Sequence, residues 1–324
     1  MVEVIRIPFS ATVLRILSAA IAFASCVGFA TGQQPNAPPS SPRQTLEDAW
    51  WTGPLLANSA NTLARGHFLV EPYLYDVISP HTHAFGSRAY VEYGLANKFT
   101  VGIIPIIGYN KVADRTSSGI QLGDISLLGQ YRLTQFHENS WVPTTAIQIQ
   151  QAFPIGKYDH LGTRALDALG AGAYTTTVAL NSQTYFWLPN GRILRTRLDV
   201  SGSVSSDVDV SDLSVYGTTS GFNGHAEPGK SLFIDAAWEY SMTRNWVFAL
   251  DAIYQHNGNT PVLGTQFGNK VVFNSGSSWT YGFAPAIEYN MSPSLGIILG
   301  ARVLAPGHNT SFSVAPVIAV NFFH

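Results

Sequence analysis

The chain has 324 residues, of which 12% are charged and 46% hydrophobic, and a formal net charge of −2. The charged share is about half that of an ordinary soluble domain, yet no mature apolar run approaches the roughly 18 to 20 residues of a spanning helix. That combination disfavours a soluble enzyme and a helical membrane protein, and the near-zero charge disfavours nucleic acid as a partner.

The N-terminus reads as a secretory leader. Arg6 and Arg15 supply positive charge, residues 16–30 are apolar and rich in small side chains, and Gly28-Phe29-Ala30 suits a signal peptidase. Residues 1–30 are therefore assigned to a signal peptide. Cys26 is the only cysteine. Cleavage after it leaves no disulfide or thiol chemistry; the alternative is lipidation at Phe23-Ala24-Ser25-Cys26, where Phe23 occupies the place expected of Leu. Residues 31–65 form a periplasmic segment. Its first part, QQPNAPPSSPR at 33–43, is Pro- and Ser-rich and reads as an extended linker. From Trp50-Trp51-Thr52-Gly53-Pro54 to Arg65 there is no strand period. This stretch tucks against a barrel or its periplasmic mouth, and the sequence leaves both open.

From Gly66 on, polar and apolar residues alternate one by one. Asp235, Ala237, Glu239 and Ser241 share one parity; Ile234, Ala236, Trp238 and Tyr240 share the other. Strands point successive side chains to opposite faces, so each segment has a wet face and a greasy one. About twelve such strands are expected, over 66–77, 85–95, 99–111, 121–135, 141–156, 173–187, 192–206, 231–242, 245–257, 278–290, 295–305 and 311–323. Short polar turns alternate with longer loops at 78–84, 112–120, 157–172, 207–230, 258–277 and 306–310. This predicts an all-β, antiparallel, up-and-down transmembrane barrel over residues 66–324, with periplasmic turns and outward loops. Pro72, Pro105, Pro143, Pro285 and Pro316 fall inside these strands. Proline cannot donate to a ladder, so bulges or strand ends are expected there.

Charge on a lipid face is costly, so the charged parity must face the lumen. The candidate permeation path comprises Arg88, Glu92, Asp124, Arg132, Arg195, Arg197, Asp199, Asp235, Glu239, Asp251, Glu288 and Arg302. Outward positions include Val91, Tyr93, Leu127, Tyr131, Trp238, Phe248, Leu250 and Phe283. Phe186-Trp187, Trp246, Trp279 and Tyr289, at strand ends, suit the two interfacial girdles. The chain closes on a strand with terminal aromatics, Phe322-Phe323, followed by His324.

Three stretches carry a resemblance: Gly53-Pro54-Leu55-Leu56 with Leu63-Ala64-Arg65-Gly66-His67-Phe68 and Glu71-Pro72-Tyr73; Phe153-Pro154-Ile155-Gly156-Lys157-Tyr158-Asp159; and Tyr185-Phe186-Trp187-Leu188-Pro189-Asn190-Gly191-Arg192. They resemble a family of bacterial outer-membrane proteins associated with the meta-cleavage pathway of phenol degradation (MetA-type) or described simply as transporters. The resemblance spans most of the mature chain and implies uptake of hydrophobic or aromatic small molecules. Its motifs are structural and bring no catalytic residue.

Three clusters were weighed for chemistry. Tyr254-Gln255-His256-Asn257-Gly258 resembles the His-x-Ser-Asn-Gly stretch of outer-membrane phospholipases but lacks the serine. His81-Thr82-His83 offers two imidazoles with no evident third ligand. Asp207, Asp209 and Asp212, near Glu227, alternate in the longest loop and read as a solvated acidic face. No phosphate loop, zinc motif or dinucleotide fingerprint occurs. The expectation is thus a monomeric outer-membrane channel of a Gram-negative bacterium. It works without a cofactor, contacts outer-membrane lipid and passes small, hydrophobic or aromatic solutes passively. A lipid hydrolase, or a structural or adhesive barrel acting through its outer loops, is the alternative.

Overall fold

The structure, a computed structural model, describes residues 43–324. The expected signal peptide and the linker up to residue 42 lie outside the described residues. The strands run β1 Phe68–Ser79, β2 Thr82–Ala96, β3 Phe99–Ile104, β4 Ile106–Val112, β5 Arg115–Thr116, β6 Gln121–Leu122, β7 Ile125–Thr134, β8 Thr144–Phe153, β9 Thr175–Trp187 and β10 Ile193–Ser205. They continue as β11 Val208–Ser211, β12 Phe222–Ala226, β13 Ser231–Ser241, β14 Trp246–Asn257, β15 Pro261–Gln266, β16 Asn269–Asn274, β17 Ser278–Ser292, β18 Leu295–Leu304 and β19 Ser313–Phe323.

The long strands pair antiparallel with their neighbours, and β1 pairs with both β2 and β19, so the sheet closes on itself. Counting β3 and β4 as one strand broken at Pro105, the barrel has twelve strands. The seam is completed by Phe68 N–H donating to the His324 carbonyl at 2.9 Å and His324 N–H returning to Phe68 at 3.0 Å. Closure leaves no unpaired edge, which the hydrocarbon interior of a bilayer requires.

The prolines behave differently from expectation at three of five positions. Pro105 separates β3 from β4, and Pro143 precedes β8. Pro72, Pro285 and Pro316 lie inside β1, β17 and β19, and the register shifts fall elsewhere, at Gly94/Ala96, Arg132/Thr134 and Asn290/Ser292. At each of the three the ladder lapses on one side only. Pairing of β1 with β19 skips from Val70↔Phe322 to Tyr73↔Ala319, then from Tyr75↔Val317 to Ile78↔Val314. That of β17 with β18 skips from Phe283↔Val303 to Ala286↔Gly300. The opposite side keeps its pairing, so a missing donor costs a local gap and not the strand.

The parity assignment fixes the two faces. Tyr93, Leu127, Tyr131, Leu198, Trp238, Phe248 and Phe283 are exposed on the outside, while Gln148, Gln183, Arg195, Arg197, Asp235, Glu239, Asp251 and Glu288 are buried inside. Large apolar side chains facing outward around a closed barrel define a lipid-facing belt. The Trp246–Tyr289 pair (ring centroids 4.7 Å apart) and the Tyr254–Tyr281 pair (5.0 Å) stand near opposite ends of β14, as girdle residues do. Trp187 is a correction: it faces the mouth, where its Nε1–H donates to the Gln44 carbonyl at 2.7 Å and Arg43 stacks on its ring at 4.1 Å.

The start of β1, the end of β19 and most short turns lie at one end of the barrel, the turn end, together with the link 135–143. The other, the loop end, has a tight turn at Pro80-His81 where a longer loop over 78–84 was expected, because β1 and β2 pair out to Ser79↔Thr82, and otherwise carries the long connections. Two of those connections are not plain loops. Within 207–230 and 258–277, strands β11, β12, β15 and β16 form a separate four-stranded sheet. Its small core joins Val208, Val210, Phe222, Ala226 and Val262 to Ala173. The β15–β16 hairpin turns at Phe267 and Gly268, both at positive φ (48° and 81°), the geometry that matches strand twist in a two-residue turn. Asp167 ties two further loops together by accepting from the Ser118 N–H (2.7 Å) and hydroxyl (2.8 Å). These bonds, the backbone one first, hold its carboxyl below the usual carboxylate range.

Candidate functional site

The lumen is not empty space lined by charge. Its wall on β14, β17, β18 and β19 is made of small residues at inward positions: Ala249, Ala284, Ala286, Gly296, Gly300 and Ala319. Against that wall lies the stretch from Trp50 to Arg65, which loops into the barrel from the turn end and returns to it, Trp50 N–H donating to the Arg244 carbonyl and Arg65 N–H to the Asn97 side chain. Leu55, 4% exposed, seats among Ala249, Ala284, Ala286, Ile298 and Ala319. A side chain at Gly296 would collide with the Thr52 hydroxyl, and one at Gly94 with the Ala64 carbonyl.

Polar wall residues hold the backbone of this segment. Glu288 accepts from Thr52 N–H at 2.7 Å. Asp251 accepts from the N–H groups of Leu55 (3.1 Å), Leu56 (3.4 Å) and Ala57 (3.1 Å). Asp199 accepts from Asn58 N–H at 2.5 Å, Gln183 from Ala60 at 3.2 Å, and the Thr100 hydroxyl from Leu63 at 2.8 Å. In return, Gln130 donates to the carbonyls of Ser59 (3.0 Å) and Asn61 (2.8 Å), and Arg197 to that of Ala57 (2.9 Å). A chain without secondary structure must satisfy its backbone groups somewhere, and here the strand side chains do it.

The charges also brace one another. Glu239, fully buried, takes Arg195 in a two-pronged pair (Nε to Oε2 2.6 Å, with a terminal nitrogen on Oε1) and Arg197 Nε at 3.1 Å. Arg195 lies over the Trp51 ring at 4.5 Å, so this cluster too grips the segment. Asp235 faces Asp199 across the β10–β13 ladder and is fully buried, with no hydrogen bond to either carboxylate oxygen.

Among the described residues, two cavities flank the segment. The one at the turn end has a volume of about 580 Å³ and the one toward the loop end about 440 Å³. Leu55, Leu56, Asn58, Tyr73, Tyr90 and Gln148 border both, so the inserted segment and the two tyrosines partition the lumen.

The structure distributes the twelve expected lumen residues among different tasks. Glu92, Arg132, Arg195 and Arg197 line the turn-end cavity; Arg88 and Arg302 line the loop-end cavity. Asp199, Asp251 and Glu288 bind the segment's backbone, and Glu239 binds the two arginines. Asp235 is buried behind them. Asp124 borders neither cavity: its carboxylate accepts from the N–H groups of Gly156 (3.0 Å) and Ala171 (2.8 Å) and ties a long connection to the rim. The sequence reading left open whether the segment lies against the barrel or at its mouth; it lies in the lumen, and its neutral partners Thr100, Gln130 and Gln183 are outside the twelve expected residues. The signal that carried it is the run of alanines and glycines on the inward parity. A twelve-stranded barrel whose inward side chains are small along four adjacent strands has room that something else must fill.

The other candidate clusters do not converge. His256 pairs across the ladder with Leu232 and Trp279, and no hydrogen bond joins it to a hydroxyl or carboxylate among the described residues. His83 Nδ1 lies 2.9 Å from Asp76, while His81 sits in the turn at φ 62°. Asp212 accepts from Gly221 N–H at 2.9 Å, and Glu227 lies near His225 (3.5 Å). No group of three metal-ligating side chains occurs among the described residues.

No family model matches the chain, and no curated protein matches it. Solved structures do. The COG4313 outer membrane channel of Pseudomonas putida F1 aligns over 83% of this chain and 100% of its own, with a TM-score of 0.60 and 11% identity. Looser likenesses are the NanC porin (12% identity, 78% of this chain and 98% of its own, TM-score 0.43) and the toluene transporter TbuX of Ralstonia pickettii (11% identity, 86% and 95%, TM-score 0.37). At such identities the first likeness is one of fold: this chain has the closed barrel fold of an outer-membrane channel.

Proposed function

We propose that the protein is an outer-membrane channel of a Gram-negative bacterium through which small solutes pass by diffusion, and that the segment from Trp50 to Arg65 closes it. The loop end faces the outside and the turn end the periplasm, as in other barrels of this kind. The reading rests on one observation: an unstructured segment occupies the lumen between two cavities, held by side-chain bonds to the wall and not by a strand ladder. Such bonds can break without opening the barrel. A twelve-stranded barrel is wide enough to leave a path once the segment moves. No nucleotide site or metal centre is required for passive passage. Planar-bilayer recordings of the full chain and of a variant lacking residues 50–64 test this. The full chain should be mostly closed with brief openings, and the shortened barrel should conduct steadily. A shortened barrel that still folds, read as faster gel migration unheated than boiled, as expected of a closed barrel, and that carries no current would overturn the channel reading.

A further inference from the structure

The loop-end cavity, about 440 Å³, combines two features that no single group in the barrel explains. Much of its wall is apolar or aromatic: Tyr73, Tyr75 and Phe233 face Leu55, Leu56 and Val317. Its only charged members are Arg88 from β2 and Arg302 from β18, with no carboxylate in the wall. Neither arginine forms an ion pair with any acid among the described residues. The contrast within the same lumen is sharp, because Arg195 and Arg197 share Glu239. Glu71 and Glu92 line the turn-end cavity, on the far side of the partition. The remaining wall, Asn58, Gln148, Gln150, Thr177 and Ser201 among it, is neutral, so two guanidiniums in one partly apolar cavity repel one another unless a counter-charge arrives.

We infer that the loop-end cavity binds an aromatic monocarboxylate, its carboxylate held between Arg88 and Arg302 and its ring against the tyrosine and leucine wall. This rests on the channel reading for its purpose, since the cavity opens toward the loop end and would select what waits above the closed segment. The volume suits a single-ring ligand. The planar fork of arginine matches a carboxylate, whereas a neutral ring would leave both cations unanswered. A small inorganic anion would answer the cations but leave the aromatic wall unused.

Intrinsic fluorescence or calorimetric titration of the detergent-purified full chain with benzoate, benzyl alcohol and acetate tests the assignment. Benzoate should bind roughly 10- to 100-fold more tightly than benzyl alcohol, the difference expected of hydrogen bonds to charged groups. It should also exceed acetate, which lacks the ring, and weaken as salt is added. In Arg88→Gln combined with Arg302→Gln, benzoate should fall to the level of benzyl alcohol; Arg302→Gln alone serves if the double variant does not assemble. Equal binding of benzoate and benzyl alcohol, equal binding of benzoate and acetate, or a preference that survives the arginine substitutions would each overturn the site. Benzoate flux into liposomes separates the two readings. Binding without flux through the segment-deleted barrel overturns the channel and leaves the site, while flux without a carboxylate preference in binding overturns the site alone.

Discussion

Leu55→Ala isolates the strength of the lumen closure. Leu55 is 4% exposed in a pocket of Ala249, Ala284, Ala286, Ile298 and Ala319, and it makes no contribution to the strand ladder. The substitution removes three carbons; at about 0.8 kcal/mol each, the docked segment loses about 2.4 kcal/mol relative to a displaced one in which residue 55 meets water. The cavity term that accompanies burial in a sealed core is discounted here, because the spaces on either side of Leu55 can admit water. A shift of that size raises the ratio of displaced to docked segment about sixtyfold. Single-channel recording reads it directly as the ratio of open to closed time. Leu198→Ala, on the lipid face, is the control, because it removes the same carbons without touching the segment. An unchanged open ratio in Leu55→Ala, with the barrel still heat-modifiable, would refute the claim that docking of this side chain closes the lumen.

Other outcomes follow from the same geometry. Replacing Arg195 and Arg197 together by Gln leaves Glu239 buried without a partner, a loss of about 3–5 kcal/mol that should lower the temperature of the gel-mobility shift; adding Glu239→Gln should restore much of it. Trp238→Arg, on the lipid face, should cost about 2–4 kcal/mol if at mid-depth and impair assembly into vesicles, whereas Gln150→Arg, facing the loop-end cavity, should assemble normally; equal damage from both would show the face assignment to be wrong. The Asp167 tie between outer loops has a folded pKa below the unfolded one, so its contribution is complete above the ordinary carboxylate value near 4 and is lost as pH falls through the folded value. Limited proteolysis of those loops should therefore change little between pH 7 and pH 5 and rise in stronger acid, and Asp167→Asn should show the raised rate already at pH 7.

The barrel was legible because every strand has to answer two solvents. A Trp at 238 and a Glu at 239 cannot exchange faces, so parity alone separated lipid from lumen, and turn length separated the two ends apart from the tight turn at Pro80-His81 and the long link 135–143. The sheet at the loop end was not legible for the complementary reason. Strands such as Val208–Ser211 and Phe222–Ala226 meet no lipid, are four and five residues long, and sit among glycines and serines, so their alternation is too brief to stand out. Three prolines departed from expectation because bulges and strand ends were taken as the only escapes for a missing donor. A gap in the ladder on one side of Pro72, Pro285 or Pro316 answers the same need.

The site divides along a similar line. Which residues face the lumen follows from parity, but what they bind there does not, because the partners of Asp199, Asp251 and Glu288 are backbone N–H groups, and a backbone N–H has no signature in the sequence. Twelve positions that look alike as charges on one parity thus become anchors, braces, a rim tie and an unanswered arginine pair. The distinction turns on pairing. Charges that found partners within the chain, as Arg195 and Glu239 did, hold the structure closed. Three lumen cations found no acid among the described residues; Arg132 gives a hydrogen bond to the Asn97 carbonyl at the turn end, while Arg88 and Arg302 share the loop-end cavity, on the side of the segment from which a solute would arrive.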